Sequence, residues 1–226
     1  MRYSKEDLDK FIEQNCDEKY RAFHSRLTRS KYPIFGVRVP ILRAYGKELS
    51  KCENVDEFLN LPIERYEQAM LKGVVLSYIK REDAEYFALL EKFFLQIDDW
   101  AVCDISCGGV KRKDDAFLEK CLQYAGADHV WTARWGIVQL FSNFYDRSES
   151  LRSAVYGVKA KDYYIDMAIA WLIQVLAVKN AALAKEFLAS EKISDAVKSM
   201  AVRKIKDSFR ISAEEKEYFA RLAKRI

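Results

Sequence analysis

Apolar residues recur at three- and four-residue intervals along most of this 226-residue chain, which is the spacing of one face of an α-helix. No run alternates polar and apolar residues over more than a few positions, and no Asn-Gly or Asp-Gly hairpin turn occurs. All three prolines (Pro33, Pro40 and Pro62) lie in the first third, so no later proline interrupts a helix. The pattern predicts an all-α fold with almost no strand.

The individual helices can be placed from capping signals and apolar spacing. Ser4 and Asp7 form a capping box before a first helix, a second helix is expected over Asp17–Arg29, and Pro40 suits the first turn of a helix over Ile41–Ser50. The remaining predicted helices are Val55–Leu59, Tyr66–Ile79, Ala84–Phe94, Trp100–Gly108, Ala116–Tyr124, Trp131–Phe144, Leu151–Val158, Tyr163–Val178, Ala182–Leu188, Ile193–Phe209 and Glu214–Ala223.

The helices alternate in a way that indicates repeated antiparallel pairs. Lys72, Asp104, Arg134, Trp171 and Arg203 occupy comparable positions on every second helix, about 30 to 37 residues apart, close to the ~40-residue period of HEAT and armadillo repeats. We therefore expect a single HEAT-like repeat domain over residues 1–226. Such a solenoid stacks its helix pairs into a superhelix with a concave binding face.

The composition bears on the cellular location of the protein and on the redox state of its thiols. Five cysteines form an odd number without framework spacing, the segment from Met1 to Lys10 is polar rather than a signal sequence, and no apolar run reaches ~20 residues. These features predict a cytoplasmic protein with reduced thiols and no membrane association. The net charge of +4 does not by itself require a polyanionic partner.

Trp100 and Asp104 are the first candidate functional pair. They stand four residues apart and so share one face of the predicted helix. A carboxylate within an apolar helix needs a partner or a water-filled cleft. The alternative, that Asp104 is a rim residue or a helix cap, is weakened because Asp98 and Asp99 are better placed to cap the helix.

Arg134 and Trp171 are the next candidates. Arg134 lies within an apolar helix, where it would either clamp a phosphate or act as a structural bridge between repeats. The helix over Tyr163–Val178 is apolar almost all round and should be buried. Tyr164, Met167, Trp171 and Gln174 form one stripe on it, and such a tryptophan belongs more often to a core than to a site.

The order of these elements resembles the HEAT-like repeat DNA glycosylases of the AlkD-type DNA alkylation repair family. The shared features are Trp100-x-x-x-Asp104, an arginine in an aromatic-flanked helix, and a Met-Ala-Ile-Ala-Trp element ending at Trp171. The segments Tyr32–Arg43 and Glu67–Gly73 also resemble family motifs, so the resemblance runs from about residue 20 to about residue 210.

The resemblance implies a role for each matching residue. Trp100 and Trp171 would line the lesion cleft, Asp104 would be the catalytic carboxylate, and Arg134 would contact the DNA backbone. It implies a monofunctional DNA glycosylase that releases N3- or N7-alkylated purines from double-stranded DNA. Further basic residues recur at helix ends and on later inner helices, and those expected to bind DNA are Lys111, Arg112, Lys113, Arg203 and Lys206.

These residue types suit hydrolysis of a cationic nucleoside. An alkylated purine leaves as a neutral base, so a fixed carboxylate that stabilises positive charge on the sugar is enough. Tryptophan faces attract cations. We expect no cofactor and no metal, because His24 and His129 lie far apart and Cys103 and Cys107 lack ligand partners.

Two alternative functions remain open. Asp166 and Gln174 depart from the family pattern, in which a basic residue and an Arg-Glu pair flank the Met-Ala-Ile-Ala-Trp element. A non-catalytic family member that binds distorted DNA would fit this departure. A HEAT-type scaffold for protein interactions is the other alternative. We expect a monomer, since DNA would occupy the concave face.

Overall fold

The computed structural model describes residues 2–223, and within this range the fold is all-α, as the periodicity predicts. The one β-type contact here is an isolated bridge between Cys16 and Val37. The helices are α1 (Lys5–Gln14), α2 (Glu18–His24), α3 (Val39–Leu49), α4 (Val55–Asn60), α5 (Tyr66–Tyr78), α6 (Asp83–Phe94), α7 (Trp100–Ile105), α8 (Asp115–Ala125), α9 (Val130–Asn143), α10 (Ser148–Tyr156), α11 (Tyr163–Lys179), α12 (Ala181–Ala189), α13 (Asp195–Asp207) and α14 (Ala213–Leu222).

Most predicted helix boundaries lie within two residues of the observed ones. The Ser4 hydroxyl accepts a hydrogen bond from the Asp7 backbone N–H at 3.1 Å, so the predicted cap of α1 is confirmed. Three boundaries are wrong by more than two residues: α2 stops at His24 instead of Arg29, α7 stops at Ile105 instead of Gly108, and α10 begins at Ser148 instead of Leu151. The first two corrections concern segments that turn to meet other elements.

The chain divides into two compact units, of which the first ends at Val110. In this unit α3 packs on α5, α5 packs on α7, and α6 packs on α5. The odd-numbered helices thus follow one another in a row, as expected for stacked helix pairs. Its core is contributed by α5, on which every residue except the last is buried.

The second unit begins at Lys111 and repeats the arrangement more regularly. Helix α11 packs against α9 on one side and α13 on the other, while α8 contacts α10 and α12 contacts α14. Helices therefore alternate between two layers, which confirms the predicted repeat of helix pairs. The expectation of one domain over 1–226 stays a prediction.

No helix within residues 2–223 combines the length and the apolar character that crossing a bilayer requires. The expected cytoplasmic location stays a prediction.

Lys72 has a structural position within the first unit. Its side chain is 2 % exposed, and its ammonium donates to the carbonyls of Leu59 and Leu61 and to Gln96 Oε1. The two carbonyls belong to the C-terminal end of α4, where a cation is favourable. Burial lowers the pKa of Lys72 to about 8.

The lowered pKa of Lys72 predicts a measurable pH dependence of stability. An unfolded lysine keeps its proton up to about pH 10.4, so the folded state loses the proton first as pH rises. The free energy of unfolding should then increase between pH 8 and 9.5 by on the order of 1 kcal/mol. Denaturant unfolding of wild type and Lys72→Met should reveal this increase as a difference, because thiol titration is common to both chains. Parallel pH profiles would contradict the prediction.

Candidate active site

Helix α7 exposes two of its six residues. Trp100 and Asp104 are partly exposed, whereas Ala101, Val102, Cys103 and Ile105 are buried. The two exposed side chains lie four residues apart, so they stand on the same face of the helix. The two residues therefore share the partly exposed face of α7, as their spacing predicts, and their joint role in a site stays a prediction.

Trp100 is held at the start of α7 by two sets of contacts. Asp99 caps the helix through its side chain, which accepts from the Ala101 backbone N–H at 2.9 Å. The Trp100 indole N–H donates to the carbonyl of Leu27 at 3.1 Å. The first contact fixes the backbone and the second fixes the ring.

The segment that supports Trp100 is itself attached to the residues before α7. Asp98 accepts from the Ser30 hydroxyl at 3.0 Å and from the Lys31 backbone N–H at 2.7 Å. Asp99 accepts from the Arg29 backbone N–H at 3.3 Å. These bonds explain why α2 stops early, since residues 25–31 turn toward the two carboxylates instead of continuing a helix.

Behind Trp100 lies a buried polar chain that the sequence did not reveal. The Tyr66 hydroxyl donates to Asp99 Oδ1 at 3.3 Å, and His24 Nε2 lies 3.0 Å from the same hydroxyl. Burial raises the pKa of Asp99 and lowers the pKa of His24. Asp99 is fully buried, so its hydrogen bonds compensate for the water that the carboxyl loses on folding.

In the second unit, α11 carries the predicted stripe. The helix packs against α9, α12 and α13 and is buried over most of its surface. Tyr164, Met167, Trp171 and Gln174 are the partly exposed positions at helical spacing. The Trp171 ring lies 4.8 Å from that of Phe141 between centroids, so this partly exposed side chain also packs against a buried ring of α9.

Arg134 is more deeply placed than a phosphate clamp requires. It is 5 % exposed, and its guanidinium donates to the Tyr164 carbonyl at 2.6 Å. This bond joins α9 to the first turn of α11, which corresponds to the structural bridge between repeats that the sequence left open. A contact between Arg134 and the DNA backbone stays a prediction.

The other residues predicted to bind DNA differ in their contacts and in the exposure of their side chains. Arg112 forms a two-point contact with Asp114, at 2.9 Å for each nitrogen–oxygen pair, and its guanidinium lies over the Phe117 ring. That ion pair lowers the pKa of Asp114 to about 2. The residues that remain exposed are Lys111, Lys113, Arg203 and Lys206.

The predicted set thus falls into two groups. Trp100 and Asp104 share α7 in the first unit. Arg134 and Trp171 belong to the second unit, where Arg134 is bonded to the helix that bears Trp171. That all four face one groove stays a prediction. Among residues 2–223, no group of three or more His, Cys, Asp or Glu side chains could hold a metal ion.

Comparison with known proteins identifies the family. No curated protein and no solved structure matches the chain. The family model described as DNA alkylation repair enzyme matches residues 5–209, a range that covers most of both units and includes Trp100, Asp104, Arg134 and Trp171. The chain therefore belongs to the DNA alkylation repair enzyme family.

Proposed function

We propose that this protein is a monofunctional DNA glycosylase that hydrolyses the N-glycosidic bond of N3- or N7-alkylated purines in duplex DNA. The observation that carries the proposal is the exposed pair on α7, in which a fixed indole and a carboxylate stand on one face of a helix that is otherwise buried. Membership of the repair family gives this pair its chemical context.

The carboxylate of Asp104 would act on the sugar. An N3- or N7-alkylated purine already carries positive charge, so it departs as a neutral base and needs no general acid. Positive charge then develops on the deoxyribose, and a nearby fixed carboxylate lowers the energy of that transition state. The same carboxylate can orient the attacking water and accept its proton. No covalent intermediate with the protein is needed.

The tryptophans would recognise the cationic lesion. An indole face attracts a cation electrostatically and excludes bulk water, which strengthens the effect of a neighbouring carboxylate. Trp100 suits this role because its ring is held by the Leu27 carbonyl, so little side-chain entropy would be lost on binding. For Trp171 the contact with Phe141 supplies similar support.

A second candidate function is binding of distorted DNA without catalysis. Asp166, on the same helix as Trp171, is partly buried, and burial raises the pKa of its carboxyl. When ionised it would repel a phosphate, and the burial of Arg134 removes one guanidinium from the exposed surface. These two observations favour a weaker catalyst or a pure binding protein.

Base release from alkylated DNA tests the two candidates together. Genomic DNA treated with a methylating agent is incubated with the protein, and free 3-methyladenine and 7-methylguanine are quantified against a protein-free incubation. We expect release well above spontaneous depurination. Salt-dependent duplex binding without release would instead support the second candidate. Absence of both would point to the protein-interaction scaffold and contradict both proposals.

A further inference from the structure

The guanidinium of Arg43 lies against the backbone at the C-terminal end of the segment that bears Trp100 and Asp104. A Cβ atom placed on Gly108 would stand 2.7 Å from Arg43 Nη1 and 3.3 Å from both Cζ and Nη2. Three guanidinium atoms this close mean that the group lies over the glycine. Any other residue at position 108 would displace it.

Gly108 is a fixed support for this guanidinium. A Cβ on the neighbouring Gly109 would stand 2.5 Å from the Ser77 carbonyl oxygen, and one on Gly73 would stand 3.0 Å from Ile105 Cγ2. Helix α5 and the end of α7 therefore approach each other at backbone distance. The position of Gly108 is set by this packing.

The N–H donors of the Arg43 guanidinium are available to bind a ligand. Arg43 is an exposed residue of α3, and its guanidinium forms no hydrogen bond or ion pair with any residue in the described range 2–223. A guanidinium offers five N–H donors in a fork that matches two oxygens of a phosphate. Gly108 lies in the turn that follows α7, four residues after Asp104, so the Arg43 guanidinium lies against the end of the segment that bears this carboxylate.

We infer that Arg43 binds a DNA phosphate beside the lesion and that Gly108 is needed to hold its guanidinium in place. The inference rests on the proposed function, because it takes duplex DNA as the ligand. One turn further along α3, the exposed Lys47 lies with its ammonium 5.6 Å from the centre of the Tyr78 ring. The α3 surface thus presents a second cation in line with the first.

Duplex binding measured against salt concentration tests the inference. Each phosphate contact contributes about 0.9 to the slope of log K against log[salt], so its loss should weaken binding about eightfold at 0.1 M salt. We expect this change for Arg43→Ala, measured by fluorescence anisotropy of an end-labelled, unmodified duplex. The matched control is Arg147→Ala, an equal charge change at an exposed residue that is already paired with Asp115.

The Gly108→Ala variant tests the position of the Arg43 guanidinium without removing its charge. The added methyl group meets only the far end of a flexible side chain, so the fold should persist while the guanidinium moves away. We expect the same loss of affinity and slope as in Arg43→Ala, and no further loss when both changes are combined. Gly126→Ala is the control, because its Cβ would have no atom nearer than 3.7 Å.

The outcomes distinguish this inference from the proposed function. If wild type binds duplex DNA with a steep salt slope but Arg43→Ala leaves the slope unchanged, the inference is wrong and the function stands. If Arg43→Ala weakens binding and Gly108→Ala does not, Arg43 acts from another position and the role of Gly108 is wrong. A wild-type protein without salt-dependent duplex binding overturns both.

Discussion

Asp104→Asn should lower the rate of 7-methylguanine release by about 10²- to 10³-fold, the cost of removing one preorganised charge or donor from a transition state. The amide is nearly the same size as the carboxylate, so packing around α7 is kept. What disappears is the negative charge that would stabilise the developing oxocarbenium-like sugar. The measurement is single-turnover excision from a methylated duplex with enzyme in excess, so that product release does not mask the chemical step.

Two controls keep this result interpretable. Asp56→Asn removes an exposed carboxylate of α4 that is already paired with Arg81, and should leave excision unchanged. Thermal unfolding of Asp104→Asn should match that of wild type within a few degrees. If the wild-type protein releases 7-methylguanine and Asp104→Asn does so at the same rate, the carboxylate is not catalytic.

The sequence predicted the helices well because their apolar spacing is local. It failed where distant side chains decide the local conformation. Residues 25–29 have helical composition, yet α2 ends at His24 because Asp98 and Asp99 bind the backbone that follows it. These partners lie 67 to 70 residues away in sequence, and periodicity carries no information about them.

The candidate site also contains features that the sequence predicted and features that it could not. The i, i+4 spacing was enough to place Trp100 and Asp104 on one surface, because both stand on one helix. The chain of Tyr66, His24 and Asp99 spans separations of 33 and 42 residues, so no spacing argument could find it. The sequence identified Arg134 as a candidate, but it could not decide whether the guanidinium contacts a phosphate or a backbone carbonyl. That depends on how deeply the side chain is buried, which the sequence does not show.

Glu67 shows what a short motif can mean physically. Its side chain is 1 % exposed, and Oε1 accepts from the backbone N–H groups of Phe35, Gly36 and Val37 at 3.0, 2.7 and 3.3 Å. Gly36 has φ of +90°, a conformation that favours glycine. The carboxylate and the glycine therefore form one unit, which holds the loop before α3 onto α5.

Glu67→Ala should accordingly be among the most destabilising single changes in the chain. Two buried N–H groups and one part-buried N–H group lose their acceptor, at about 1–3 kcal/mol for each buried group before relaxation, so we expect a loss of about 3 kcal/mol or more. For a chain of this size that corresponds to a fall in Tm of roughly 6–12 °C. Differential scanning calorimetry of wild type and variant measures it directly.

Two further variants test the explanation in terms of acceptors. Glu67→Gln keeps one carbonyl oxygen but turns an N–H donor toward other donors, so its loss should lie between those of wild type and Glu67→Ala. Glu64→Ala removes an exposed carboxylate near Lys5 and should cost less than about 0.5 kcal/mol. Equal losses for Glu64→Ala and Glu67→Ala would mean that the three backbone bonds do not hold the loop.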